Sequence, residues 1–138
     1  MPSAVTQVSP ADSALALSHF SADLSFETDC SDVHASLSDG LSDGLSKEPD
    51  FVLIDVRSPE LYVQGHVPGA INIPHGKIIE SRLAQYGPDT VFVVYCAGPH
   101  CNGGHKGAIR LARLGRPVKL MIGGITGWRD EGFDLADG

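Results

Sequence analysis

The sequence has few of the features that mark a secreted or membrane-spanning protein. Its 138 residues contain only three cysteines, too few and too unevenly spaced for the disulfide framework of a small secreted domain. No apolar run is long enough to cross a bilayer, and the first residues lack the basic and apolar segments of a signal peptide. We therefore expect a soluble protein of the reducing cytoplasm.

Basic residues are also scarce. The chain has 10 Lys and Arg against 17 Asp and Glu, a formal net charge of −7. Nucleic acids and anionic membranes are bound by basic surfaces, so we expect neither as a partner. The hydrophobic fraction of 42% and the length suit one globular domain over residues 1–138. We assign an N-terminal helix and an edge strand to residues 1–28 and the core to residues 29–138.

Three apolar runs predict the buried strands of one sheet. The run from Val91 to Cys96 is rich in β-branched and aromatic residues and is too short for a typical helix, which favours a strand buried on both faces. Phe51–Asp55 and Val118–Ile122 have the same character. After Cys96 comes a glycine-rich loop, and an amphipathic helix is expected from Lys106 to Gly115.

The flanking segments predict helices. Ser9 is a good N-cap for a helix ending near Ala22, and a second helix is expected from Lys77 to Tyr86. Leu24–Glu27 alternates like an edge strand. Two apolar stripes should face the core. The stripe of the first helix is Ala14, Leu17, Phe20 and Leu24, and that of residues 29–46 is Val33, Leu37, Leu41 and Leu45. The tetrapeptide Leu-Ser-Asp-Gly occurs twice within residues 29–46.

The order strand, cysteine, loop, helix has a chemical consequence. A loop curled over a helix N-terminus turns backbone N–H groups toward one point, where an anion is stabilised. Cys96 is therefore predicted to have a lowered pKa and to act as the nucleophile, although a buried core cysteine is the simpler alternative. The same N–H groups predict an anion-binding loop made of Ala97, Gly98, Pro99, His100, Cys101, Asn102, Gly103, Gly104, His105 and Lys106.

Four motifs resemble those of a single rhodanese domain and occur in that family's order: Asp55–Glu60, Gly65–Pro74, Val94–Cys96 and Gly123–Trp128. The resemblance covers about residues 48–135. It implies a three-layer α/β/α sandwich around a parallel five-stranded sheet, and it implies that Asp55 and Arg57 support the loop, with Asp55 accepting N–H groups of the loop and pairing with Arg57. It also implies a sulfurtransferase that needs no cofactor and carries sulfane sulfur on Cys96, from a donor such as thiosulfate to a thiol, to cyanide or to an acceptor protein.

The loop departs from the family pattern. Rhodanese loops usually close within six residues of the nucleophile, often at an arginine, whereas the fifth residue after Cys96 is Cys101. A helix beginning at Lys106 would make the loop about two residues longer, and Lys106 would then supply the missing positive charge. His66 lies in a turn motif and is expected to be structural, and Cys30 is expected to be an incidental thiol.

Three other functions fit parts of this pattern. Cys96, His100, Cys101 and His105 are suitable zinc ligands, but a cysteine fixed at a strand end is not typical of zinc sites, and we predict no metal. A longer loop also suits the phosphatase and arsenate-reductase relatives of the fold, which usually have an arginine near the loop's end. A non-catalytic interaction module is the third alternative.

Cys101 itself has two interpretations. On a curled loop its Cα could approach that of Cys96 within the ~7 Å that a disulfide tolerates, which would make it a resolving thiol. Alternatively it fills space between the helix and the sheet.

Overall fold

The computed structural model describes residues 1–42 and 48–138, and all of their side chains except those of residues 39–42. The strands are β1 (Glu27–Asp29), β2 (Phe51–Asp55), β3 (Ile71–Asn72), β4 (Val91–Tyr95) and β5 (Val118–Ile122). The helices are α1 (Ser13–Phe26), α2 (Cys30–Ser42), α3 (Pro59–Gln64), α4 (Glu80–Leu83), α5 (Gly103–Arg113) and α6 (Gly124–Asp130), and a 3₁₀ helix spans His75–Lys77.

The five strands form one parallel sheet in the order β1-β5-β4-β2-β3. Helices cover both of its faces, because a parallel sheet needs crossover connections that lie above and below it. The predicted α/β class and five-stranded parallel sheet are therefore confirmed. β4 lies in the middle of the sheet, so the residue that follows it is flanked by the ends of β2 and β5.

Side-chain alternation divides the core into two clusters, one on each face of the sheet. Leu53 and Val93 pack with Trp128 on the face that carries α2 and α6. Ile54 and Val94 pack with Leu111 on the face that carries α5. The division continues to the strand ends, where Tyr95 belongs to the first cluster and Cys96 to the second.

The predictions for the N-terminal segment were wrong in their bounds and in the packing of the helix. α1 begins after Asp12, whose carboxylate accepts the Leu15 N–H at 2.9 Å, and it continues through the predicted edge strand. The strand is instead β1, which pairs with β5. The apolar stripe is exposed, with Leu17 at 71% and Leu24 at 72%. Leu15 and Leu17 lie about 200° apart around the helix, so the apolar residues of α1 share no single face.

The helix expected over Lys77–Tyr86 also differs from its predicted bounds, since it is divided into the 3₁₀ helix and the short α4. α3 begins at Pro59, directly after its N-cap Ser58, which accepts the Leu61 N–H at 3.4 Å. In α2, Val33 is buried as predicted and Leu37 packs partly buried against the same cluster, while stripe positions 41 and 45 and the second Leu-Ser-Asp-Gly copy lie outside the described side chains. Within the described ranges no helix has the length and apolar character needed to cross a membrane.

Two leucine truncations compare a buried helix position with an exposed one. Leu111→Ala removes a fully buried side chain of α5 and should lower the free energy of unfolding by about 2–5 kcal/mol. Leu17→Ala removes an exposed side chain of α1 and should change it by no more than about 0.5 kcal/mol. Urea unfolding measures both. Equal losses would mean that the apolar side chains of α1 are buried in solution.

Candidate active site

Cys96 is the first residue after β4, at the carboxyl end of the central strand. Parallel α/β sheets place their sites at this edge because the loops after neighbouring strands meet there. Its side chain is 9% exposed and faces α5. The strand end thus holds one sulfur atom between the sheet and the helix that follows it.

The loop after Cys96 folds back on itself and brings a second sulfur to the first. The Cys101 N–H donates to the carbonyl of Gly98 at 3.0 Å. The Cα atoms of Cys96 and Cys101 lie 6.4 Å apart, and the two residues are joined by a disulfide. Both sulfurs lie over Gly103, where an added Cβ would be 2.7 Å from the Sγ of Cys96 and 3.4 Å from the Sγ of Cys101.

α5 begins at Gly103, three residues earlier than predicted. The glycines at 103 and 104 indicate a loop by their intrinsic preference, but here they allow close packing inside a helix. A Cβ on Gly104 would lie 2.6 Å from Leu120 Cδ1. Among the described residues, the N–H groups of Gly104 and His105 have no hydrogen-bond partner, while that of Gly103 donates to the Sγ of Cys101 at 3.5 Å.

The start of α6 supports the loop from the side of β5. The N–H of Ile125 donates to the Cys96 carbonyl at 3.1 Å, and Thr126 donates to the Ala97 carbonyl through its N–H at 2.9 Å and its Oγ1 at 3.1 Å. Gly124 has φ 57°, and a Cβ there would lie 2.9 Å from the Gly98 nitrogen. Sequence reasoning assigned no role to Gly124 or Thr126, although their position in the motif after β5 was a signal.

A cavity of about 210 Å³ opens beside Cys96. Its lining includes Cys101, His105 and the end of β5 through Gly124. Lys106 is exposed and does not line this cavity, because Gly103, Gly104 and Gly107 are the residues of the first turns of α5 that face inward. Of these two neighbouring basic side chains, His105 lines the cavity and Lys106 does not.

The other loop residues lie on the outer side. Ala97, Pro99 and His100 are exposed and, together with Thr126, line a separate cavity of about 290 Å³. Asn102 is exposed and precedes α5 without capping it through its side chain. The predicted anion-binding loop therefore ends at Asn102, because its last four residues, Gly103 to Lys106, belong to α5.

Asp55 and Arg57 form a buried ion pair at the end of β2. Arg57 donates to the Asp55 carboxylate through Nη2 at 2.7 Å and through Nε at 3.0 Å, and its backbone N–H donates to the same group at 2.9 Å. Arg57 Nη2 also donates to the Gly65 carbonyl at 2.6 Å. The side chains are 0% and 8% exposed, so each charge depends on the other for its compensation.

The expectation that Asp55 accepts N–H groups of the loop was wrong. Asp55 is in register with Tyr95, so its carboxylate points to the face opposite Cys96. Burial and then the charge of Asp55 raise the pKa of Tyr95, whose hydroxyl oxygen accepts the Val67 N–H at 3.0 Å. The pair therefore stabilises the strand residue before Cys96 and the turn at Gly65, and does not contact the loop.

The remaining cysteine and the turn histidine have structural surroundings. Cys30 is buried under α6, where its thiol donates to the carbonyls of Ile122 and Gly124 at 3.6 Å each. Burial and the nearby charges of Asp29 and Glu131 raise the pKa of the Cys30 thiol to about 11. His66 is buried, and its Nδ1 lies 2.8 Å from the Tyr62 carbonyl, as expected of a satisfied structural histidine.

The described residues include no group of three or more His, Cys, Asp or Glu side chains that could hold a metal ion. Cys96 and Cys101, two of the ligands considered for zinc, are bonded to each other. The groups that meet at this position are the two cysteines, backbone N–H groups and the His105 side chain.

A family model described as Rhodanese-like domain matches residues 37–131, which is most of the chain and includes the whole site. The chain belongs to the rhodanese family. The resemblance in the four motifs is thereby confirmed.

Three individual proteins are also similar to this chain. A sulfurtransferase from Allochromatium vinosum is 29% identical over 71% of this chain and 90% of its own length. An HTH-type transcriptional regulator from Mycobacterium tuberculosis is 41% identical over 64% of this chain, but the match spans only 39% of the regulator. The crystal structure of the BH2092 protein from Bacillus halodurans superposes with a TM-score of 0.78, at 38% identity over 90% of this chain and 85% of that one.

Two glycines of this rhodanese domain test the contact between α6 and the loop. Gly124 and Gly132 both have positive φ, so alanine at either position should lower the free energy of unfolding by about 1–2 kcal/mol. At Gly124 the new Cβ would also meet the Cys96 carbonyl and the backbone of Ala97 and Gly98, whereas at Gly132 it meets nothing. Gly124→Ala should therefore lower the free energy of unfolding by about 1–3 kcal/mol more than Gly132→Ala does. Denaturant unfolding measures this, and equal losses would contradict the packing described.

A second pair of variants tests the buried ion pair. Asp55→Ala leaves the Arg57 cation buried without its partner and should lower the free energy of unfolding by about 3–5 kcal/mol. Asp137→Ala changes an exposed carboxylate and should shift it by no more than about 0.5 kcal/mol. Thermal unfolding of both checks the difference. An Asp55→Ala protein that is inactive yet as stable as Asp137→Ala would indicate a direct chemical role for Asp55.

Proposed function

We propose that this rhodanese domain is a sulfurtransferase that carries sulfane sulfur on Cys96. The observation that carries the proposal is the position of Cys96 in a member of this family: at the end of the central strand, against the first turn of α5 and beside a cavity of about 210 Å³. The similarity to the Allochromatium vinosum sulfurtransferase supports the same class of reaction.

The reaction begins from the reduced form, in which the disulfide between Cys96 and Cys101 is opened. The Cys96 thiolate attacks the outer sulfur of thiosulfate, the bond between the two sulfurs of the donor breaks, and sulfite leaves with its electron pair. Cys96 then carries a persulfide. A thiol or cyanide attacks the outer sulfur of that persulfide and regenerates the thiolate.

Backbone N–H groups chiefly stabilise the anions of this reaction, which are the Cys96 thiolate, the thiosulfate donor and the persulfide. The N–H groups of Gly104 and His105 have no hydrogen-bond partner in the part of the chain that the structure describes, and they lie at the N-terminus of an 11-residue helix that begins beside the Cys96 sulfur. The His105 side chain lines the cavity and adds positive charge when protonated. This local arrangement provides an anion site in a chain whose net charge is −7.

Two other functions within the fold have less support. Phosphatase and arsenate-reductase chemistry would need a cation on the oxyanion, but the sequence contains no arginine from position 97 to position 109 and Lys106 does not line the cavity. A non-catalytic module that serves a larger regulator is favoured only by the similarity to part of the Mycobacterium tuberculosis protein. A sulfur donor and an aryl phosphate, tested on the reduced protein, separate the three functions.

We predict that Cys96 is the nucleophile that attacks the sulfur donor and that Cys30 is not needed for this step. The reduced protein should release sulfite from thiosulfate, and Cys96→Ser should reduce this release to the uncatalysed background because the nucleophile is lost. Cys30→Ser, which lies on the opposite face of the sheet and keeps a hydrogen-bond donor, should retain sulfite release. Hydrolysis of an aryl phosphate should stay at background in all three proteins. Sulfite release by Cys96→Ser at the wild-type rate would refute the assignment.

A further inference from the structure

Cys101 is held where it can react with whatever Cys96 carries. The turn closed by the Cys101 N–H and the Gly98 carbonyl brings its Cα to 6.4 Å from that of Cys96. Both cysteines line the same cavity of about 210 Å³. Because Gly103 has no side chain, nothing from the helix separates the two sulfur atoms. The folded backbone therefore keeps a second thiol within bonding reach of the first.

We propose that Cys101 resolves the Cys96 persulfide, so that the domain converts sulfane sulfur to hydrosulfide and uses a dithiol reductant as its second substrate. This step rests on the proposed function, since it begins from the persulfide formed there. Cys101 thereby takes part in the reaction, and a dithiol reductant completes the cycle.

The step balances without any outside oxidant. The Cys101 sulfur attacks the Sγ of Cys96, a bond forms between the two Sγ atoms, and the bond from the Cys96 Sγ to the outer sulfur breaks. The outer sulfur leaves with the electron pair of the broken bond, and the proton of the Cys101 thiol departs on the hydrosulfide. The outer sulfur is thus reduced while Cys101 is oxidised. Thiosulfate and two protein thiols yield sulfite, hydrosulfide and the Cys96–Cys101 disulfide, which a dithiol must reduce before the next turnover.

The surroundings of Cys101 favour this chemistry. Its Sγ accepts the Gly103 N–H at 3.5 Å, at the N-terminus of α5, where a thiolate is stabilised by the helix dipole. Its side chain is only partly buried and lines both cavities beside the loop, so the disulfide is within reach of a reductant. Cys30 has neither property, because it is buried against the opposite face of the sheet.

A single-turnover experiment tests the step. The full chain is reduced, freed of reductant under nitrogen and mixed with thiosulfate without an acceptor. The wild type should release equal amounts of sulfite and hydrosulfide, lose the mass of two hydrogen atoms and yield a linked Cys96–Cys101 peptide. Cys101→Ser should still release sulfite, should gain the mass of one sulfur atom on Cys96, and should release hydrosulfide at least about tenfold more slowly. Cys101→Ala should behave as Cys101→Ser does, and Cys30→Ser as the wild type does.

The outcomes separate this step from the function beneath it. If the wild type accumulates a lasting persulfide without hydrosulfide, or if Cys101→Ser releases hydrosulfide as fast as the wild type, Cys101 is not the resolving thiol although sulfur transfer stands. If neither protein releases sulfite, the proposed function fails and the step fails with it. Under turnover, dithiothreitol should sustain hydrosulfide release by the wild type but not by Cys101→Ser at a comparable rate. Equal steady rates would mean that the dithiol removes the outer sulfur from Cys96 directly, which would overturn the assignment of Cys101 as the resolving thiol.

Discussion

The alternation of side chains at the end of β4 is the constraint on which the site depends. Tyr95 and Cys96 are neighbours in the chain, and the strand turns their side chains to opposite faces of the sheet. Tyr95 joins the network of the Asp55–Arg57 pair, while Cys96 meets the first turn of α5. The charged groups that stabilise the strand end thus lie on the face of the sheet opposite the sulfur, which instead lies against the first turn of α5.

The parts of the fold that follow from local patterns could be predicted from the sequence. Phe51–Asp55 and Val118–Ile122 are strands with the predicted bounds, because apolar runs of that length are buried on both faces of a parallel sheet. The position of Cys96 at a strand end followed from the same kind of pattern. The four motifs further indicated a five-stranded sheet, of which β1 is too short to recognise from periodicity alone.

The parts that depend on packing between distant segments could not be predicted in this way. Gly103 and Gly104 weaken a helix by their intrinsic preference, yet α5 includes them because the Cys96 sulfur and Leu120 occupy the space of their side chains. The support of the loop by Thr126 joins segments 29 residues apart, which no local pattern reveals. The prediction that the apolar stripe of α1 faces the core was wrong, because helical spacing does not ensure that another element covers the apolar residues.

The composition of the loop has a consequence for what the site can do with an anion. The sequence has no arginine from position 97 to position 109, and among the described residues no lysine or arginine lines the cavity. Backbone N–H groups stabilise a thiolate and can bind a small oxyanion such as thiosulfate, but they do not neutralise the charge that develops on a transferring phosphoryl or arsenyl group as a guanidinium would. Instead of such a cation, the loop carries Cys101, which is disulfide-bonded to Cys96 at the strand end. A site built in this way is suited to exchange between sulfur atoms, in which a thiolate attacks and the bond that forms lies between two side chains held by the same turn.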